Sequence, residues 1–324
     1  MKIFSVLACL AFGLVAGPAT AAETFPARPI KIIVAFAAGA INDTVARLVA
    51  EQLQKTFTHG VIIENRPGAG GMTGTDFVAK APPDGYTLLL GNDDALCVLP
   101  AVKPSSLPYD AAKDFTPLFG FAISPFAIAV REGLAAKDFA GFLQQAKANP
   151  QDIKYASTGA GGVVHVATAL LEDLAGIRLS HVPYRGMAPA VGDVVGGHVD
   201  MVLVSPATIA PYVQSGKVRM LVIASETRHP DLPQVPTSAE LGFPDFLVRA
   251  TFGILAPRGL APEVAQRLEA ELAKVGADPA FRKRLTELGI TATALSSEAY
   301  GKRISDERTR WTALAKRVNL DLNK

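Results

Sequence analysis

The strongest constraint on this chain is an alternation. Short runs apolar on both faces, fit for the inside of a sheet, are each followed by a longer run with helical period. "PIKIIVAF" at residues 29–36 is β-branched and apolar, and "INDTVARLVAEQLQKTF" behind it places Val45, Leu48, Val49 and Leu53 on one face. Asn42 or Asp43 is the expected N-cap of that helix. "GVIIEN", the helix "TGTDFVAKAPP" stopped by Pro82 and Pro83, and "YTLLLGN" continue the pattern. After residue 126 it begins again, with strand "PFAIAV", helix "AKDFAGFLQQAKANP", strand "IKYAST" and helix "VVHVATALLEDLAG". "LSHVPY", "VDMVLVS" and "VRMLVIAS" are further strands, with "MAPAVGDVVGGH" as helix plus turn. Such alternation predicts parallel sheets with right-handed crossovers. A chain of 324 residues can give each of two units its own core.

From "FGILAPRGLAPEVAQRLEAELAKV" onward the sequence predicts one strand and then three helices, with Pro262 and Pro279 at favoured first-turn positions. That is too little strand for a third sheet, so the tail is expected to pack back on the first unit. The chain would then cross between units near residues 120–126 and 247–253. The expected organisation is a first lobe from 22–124, a second from 125–248, and a return segment, 249–324, that completes the first. The fold class is α/β, each lobe a mostly parallel sheet flanked by helices.

Residues 1–21 read as a secretory signal peptide: Lys2, the apolar run "IFSVLACLAFGLVAG", then Pro18 and the small ending "ATAA". A membrane span needs about 20 apolar residues, and this run closes sooner. It also continues past Cys9, where a lipidation site would end. Once Cys9 leaves with the leader, Cys97 is alone and no intrachain disulfide can form. Export without disulfides points to a bacterial periplasm. Lys and Arg total 32 against 30 Asp and Glu, with no basic stripe, which argues against a nucleic-acid partner.

Three glycine-containing turns are candidate sites. "ENRPGAGGMTGTD" lacks the Lys and Ser/Thr of a phosphate loop and the spacing of a dinucleotide fingerprint, so it reads as a packing turn. "FAAGAIND" and "STGAGGVVH" each lie between a strand end and a helix start, one per lobe. In open α/β sheets ligands bind at such positions, where free N–H groups and the positive helix end converge. With the hydroxyls of Ser157 and Thr158, the two turns could hold an anion without a cationic side chain; periodicity alone also allows two ordinary tight turns. His165 either points at a ligand or packs against backbone. The five histidines, His59, His165, His181, His198 and His229, have no metal-ligand spacing, and neither metal nor cofactor is expected. No G-x-S-x-G elbow is present, and neither Ser157 nor Ser205 has a base identifiable from sequence. Asp93 and Asp94, in "GNDDA", could do acid–base work, although helix capping and loop solvation are the ordinary roles of such a pair.

Several stretches together resemble one family. "VIIENRPGAGGMTGTDFVAKAPPDGYTLLLG", "LPYDAAKDFTPL", "HVPYRGMAPAVGDVVGGHVDMVL" and "PYVQSGKVRMLVIASETRHPDLPQVPTSAELGFPDF" are similar to extracytoplasmic solute receptors of tripartite tricarboxylate transporters, the Bug family. The resemblance implies a two-lobed Venus-flytrap protein in the periplasm. It implies no catalysis but capture of a small organic carboxylate for inner-membrane permease subunits, with the receptor expected to act as a monomer. A sensor feeding a membrane partner is the alternative, and an exported hydrolase or isomerase a weaker one. The resemblance places the ligand carboxylate between Phe36, Ala38, Gly39, Ala40 and Asp43 in one lobe and Ser157, Thr158, Gly159 and Ala160 in the other. Asp43 would hold its turn in shape, and Ser205 is a secondary candidate.

The chain departs from the family pattern in four places. Ala35-Phe36 and Gly39-Ala40 stand where Pro-Phe and Gly-Gly are usual, and a side chain at 40 would be strained at positive φ. Thr251 replaces an aromatic. Asp93 and Asp94 replace small neutral residues, and the pair would either disfavour a second free ligand carboxylate or receive an amine or Arg249.

Overall fold

The computed structural model describes residues 25–184 and 186–318; the predicted signal peptide lies outside them. Strand β1 (Ile30–Val34) is followed by helix α1 (Ile41–Leu53), β2 (Val61–Asn65), α2 (Met72–Ala79) and β3 (Thr87–Gly91). A π-helical stretch, Asp94–Val98, runs into the one-turn helix α3 (Leu99–Val102), and the long strand β4 (Phe115–Pro125) follows. Then come β5 (Ala127–Arg131), α4 (Phe139–Ala148), β6 (Lys154–Ser157), α5 (Val163–Ala175), β7 (Ser180–Pro183), α6 (Met187–Val195), β8 (Met201–Val204), α7 (Pro206–Gln214) and β9 (Val218–Ile223). The last elements are β10 (Arg249–Pro257), α8 (Pro262–Ala277), α9 (Pro279–Glu287), β11 (Thr291–Leu295) and α10 (Ser297–Arg317). No helix among the described residues is long and apolar enough to cross a membrane.

Two sheets result, ordered β11-β4-β10-β3-β1-β2 and β7-β6-β8-β5-β9. Their central strands are apolar on both faces because helices cover both, as Ile32, Ile33, Val34, Leu88, Leu89 and Leu90 show by being almost wholly buried. The expectation of mostly parallel sheets is corrected: β1 pairs in parallel with β2 and β3, and β6 with β7 and β8, but every other pairing is antiparallel. The reason is connectivity. A strand that carries the chain into a lobe runs opposite to those whose ends face the other lobe, and β10 and β5 are those entering strands. β11, absent from the sequence reading, pairs antiparallel on the outer side of β4.

The two crossing segments run side by side. Phe126 N–H donates to Val248 O (2.8 Å), and Val248 N–H to Ala224 O (3.0 Å). Arg249 registers opposite Pro125 at the start of the β10–β4 ladder. Beside the crossing, the Ser124 and Ser205 hydroxyls lie 2.9 Å apart. α10 lies across this region with Tyr300 and Trp311 buried, in an apolar cluster that continues through Leu96 and Val98 to Val164 and Leu203 of the second lobe. On α10 the buried Glu307 accepts from Arg249 (Nη2 2.8 Å) and Arg310 (Nη2 2.8 Å), with Arg303 at 3.4 Å, so the start of β10 is clamped to the helix.

Backbone approach is tightest at Gly253 on β10. A Cβ there would stand 2.4 Å from Tyr300 Cζ and 2.5 Å from Phe119 O. Gly192 on α6 is the contrast, with nothing within 4 Å of its added Cβ. Gly253→Ala should therefore destabilise by about 1–3 kcal/mol through overpacking, while Gly192→Ala should gain up to about 1 kcal/mol of helix propensity. Equal melting temperatures for the two variants would overturn this packing account.

Candidate functional site

The first turn joins β1 to α1. Gly39 takes φ +80°, while Ala40, the N-cap, is extended at φ −69° and ψ 162°. The positive φ thus falls on the glycine, and Ala40 carries no strain. The expected cap by Asn42 or Asp43 is corrected, since the Ala40 side chain caps nothing and Asp43 acts from inside the first turn. Its Oδ2 accepts from Gly39 N–H and Arg47 Nε, both at 2.9 Å, and its Oδ1 accepts from Asn65 Nδ2 at 2.9 Å. Asn65 also donates to Phe36 O at 3.1 Å. Burial works to raise the Asp43 pKa, but hydrogen bonds from Arg47, Gly39 and Asn65 outweigh it and hold the carboxyl below its ordinary range. Asp43 therefore shapes the loop as a paired anion. The amides of Ala38, Ile41 and Asn42 have no acceptor among the described residues.

The "ENRPGAGG" segment supports this turn from behind. Asn65 supplies the two bonds just described, and a Cβ on Gly71 would lie 3.1 Å from the Phe36 ring. A Cβ on Gly74 would lie 2.8 Å from Ala35 Cα. Glycine is required at both positions because backbone must touch backbone or an aromatic ring.

The second turn joins β6 to α5. Gly159 and Gly161 take φ +123° and +82°. Ser157 is fully buried, and its Oγ accepts from Gly159 N–H at 3.1 Å and lies 2.5 Å from His181 Nε2. His181 stacks on His165 with ring centroids 4.3 Å apart, and His165 Nδ1 accepts from Gly161 N–H at 3.0 Å. Burial pushes the His181 pKa down to about 4, helped by neighbouring His165, and burial lowers His165 as well. Both rings are neutral at pH 7 and serve as turn supports. The amides of Thr158, Ala160, Val164 and His165 have no acceptor among the described residues.

The Ser157–His181 contact is the base that the sequence could not identify. It does not make a nucleophile, because the serine is sealed and the other imidazole nitrogen has no orienting partner among the described residues. The Ser205 hydroxyl pairs with Ser124 at the crossing and makes no hydrogen bond to either turn among the described residues.

The loop after β3 connects the two turns. Asp94 Oδ1 accepts from Val163 N–H at 2.8 Å, at the start of α5. Its neighbour Ala95 has its Cβ 3.4 Å from the same added Gly71 Cβ that touches Phe36. Loop solvation is therefore corrected for Asp93, which is buried and accepts from Thr251 N–H (3.1 Å) and Oγ1 (3.3 Å). Arg303 Nε donates to that same Thr251 hydroxyl at 2.9 Å. Arg249 serves Glu307 instead of the acidic pair. Two departures from the family pattern, Asp93 and Thr251, are thus one hydrogen-bonded unit. A separate polar cavity of about 300 Å³ lies among Arg131, Lys154 and Asp200, at the opposite end of the second sheet from the turns.

Compared with known families, the chain matches the tripartite tricarboxylate transporter family receptor, TctC, over residues 45–320. It is 32% identical to Protein BugT of Bordetella pertussis, covering 95% of this chain and 94% of that one. Among solved structures, Rpa4515 of R. palustris with adipate superposes with a TM-score of 0.86 at 29% identity, over 91% of this chain and 98% of that one. MatC of Rhodopseudomonas palustris with bound malate gives 0.83 at 32% identity, over 90% and 99%.

Burial, reinforced by Glu307, pushes the Asp93 pKa up to about 7, against the opposing effects of Arg303 and the Thr251 amide. Unfolded, the group titrates near its ordinary 3.8, so its neutral form stabilises the fold fully below that value and the contribution is lost as pH rises through 7. The melting temperature of Asp93→Asn relative to wild type should accordingly rise between about pH 4.5 and about pH 8, by about 2–4 °C for each kcal/mol released. An unchanged difference across that range would show that Asp93 does not titrate as described.

Proposed function

Because the chain belongs to the tripartite tricarboxylate transporter receptor family, we propose that it binds a small organic carboxylate between its two β–α turns and delivers it unchanged to inner-membrane permease subunits. The observation that carries this reading is the pair of helix starts, α1 and α5, where Ile41, Asn42, Val164 and His165 have amides without an acceptor among the described residues while side chains hold both loops in shape. The two solved relatives hold adipate and malate, both small organic carboxylates of the class proposed here. A receptor of this family works in the periplasm, in keeping with the leader-like sequence of residues 1–21.

The energetics suffice without a cation. Hydrogen bonds to a charged group contribute roughly 1.5–3 kcal/mol each, so four supply on the order of 6–12 kcal/mol. A micromolar site needs about 8 kcal/mol net, and association itself costs several kcal/mol. Apolar contact with Phe36, which is only partly buried, and closure of the lobes about the paired crossing segments make up the difference.

A thermal-shift screen of mono-, di- and tricarboxylates on the mature chain should give a saturable rise in melting temperature for one subset. Phe36→Ala should weaken that ligand about tenfold, the loss of part of an aromatic contact. Mass spectrometry of ligand recovered after denaturation should return the compound added. No shift with any acid, or recovery of an altered compound, would sink the reading.

A further inference from the structure

Asp94 reaches from the first lobe to the second turn, and it is itself a carboxylate. Its Oδ1 occupies the Val163 amide at 2.8 Å, so the first lobe already brings an anion to the helix start of the second. Thr158 Oγ1 and Asp94 Oδ1 converge on one spot, 3.1 and 3.7 Å from an added Cβ on Gly162. Asp94 Oδ2 makes no hydrogen bond among the described residues, nor is it one of the sealed, unpaired polar atoms. One residue further on, Ala95 touches the wall formed by Gly71 and Phe36. A ligand seated on the helix start of α5 would therefore lie beside this oxygen.

No described side chain neutralises it. Among the described residues no lysine or arginine pairs with Asp94. Arg47 is engaged by Asp43, and Arg249, Arg303 and Arg310 by Glu307. The stacked His165 and His181 are neutral, Asp93 faces Thr251, and the Tyr109 hydroxyl donates to Ala95 O at 2.8 Å.

Building on the carboxylate-receptor reading, we propose that Asp94 is a specificity-determining residue that makes the cleft select acids with one carboxylate over di- and tricarboxylates. The remainder of the preferred ligand is neutral or carries a hydrogen-bond donor, such as an ammonium or hydroxyl, that meets Asp94 Oδ2. The ligand's single carboxylate takes the unpaired amides of the α1 turn and what Asp94 leaves of the α5 turn. A second carboxylate within several ångströms of Asp94 meets like charge in a partly desolvated cleft, worth about 10- to 100-fold in affinity.

Calorimetry on the mature chain can test this with matched acids: butanoate, 4-aminobutanoate and succinate; hexanoate, 6-aminohexanoate and adipate; benzoate, 4-(aminomethyl)benzoate and terephthalate. In the set that fits the cleft, wild type should bind a one-carboxylate member at least about tenfold more tightly than the dicarboxylate. Asp94→Asn keeps an acceptor for Val163 while removing the charge. It should raise the affinity for the dicarboxylate about 10- to 100-fold relative to the unsubstituted monoacid, and lower that for the amino acid relative to the same monoacid. A wild type that prefers the dicarboxylate, or a variant that keeps the wild-type ratio, overturns the proposal. Binding of none of the nine by either chain, both melting cooperatively, overturns the carboxylate reading itself and this assignment with it.

Discussion

An α-helix cannot satisfy the N–H groups of its own first turn, and the candidate site is built from that deficit. In this chain α1 and α5 both begin at the end of a central parallel strand, β1 and β6, so each lobe presents a set of amides at its sheet edge. The surrounding side chains keep these amides available. Asp43 takes Gly39, and His165 takes Gly161, while the amides of Ala38, Ile41 and Asn42 in one turn and of Thr158, Ala160, Val164 and His165 in the other have no acceptor among the described residues. Each support is neutral overall, one as an Asp43–Arg47 pair and the other as uncharged imidazoles. Among the described residues, the positive character of the turns thus comes from backbone dipoles and not from a side chain.

Arginines are not scarce near the crossing, but they are committed. Arg249, Arg303 and Arg310 gather on Glu307, and Arg303 also reaches Thr251, which in turn holds Asp93. That network secures the first strand of the return segment to α10 and occupies these three arginines. The acidic pair after β3 is divided in its duties, Asp93 facing the inside of the first lobe and Asp94 facing the second.

Much of this was legible in the sequence. Doubly apolar runs such as "IKIIVAF" could only be central strands, and the following helical periods placed both β–α turns. Strand direction was not legible, because β5 and β10 look like any buried strand and their reversal follows from where the chain crosses. β11, with its modest "TATAL" and partly exposed residues, carried too weak an apolar pattern to be read. The partners of known candidates were also out of reach. His181 lies 24 residues from Ser157, and Thr251 lies 158 from Asp93, separations that only the assembled sheets bring together. Asn65 was within view inside a recognisable motif, yet its function depends on the facing Asp43.

The position of β10 has a consequence for how the molecule comes into being. It lies between β3 and β4, so the first sheet stays divided until a segment beginning at Arg249 arrives to fill the gap. The second sheet draws all of its strands from one uninterrupted stretch, Ala127 to Ile223, and owes nothing to either end of the chain. As the chain is delivered from its N-terminus, the second lobe has all its strands before β10 arrives and can mature first, while its older neighbour waits, half-built, for that late strand.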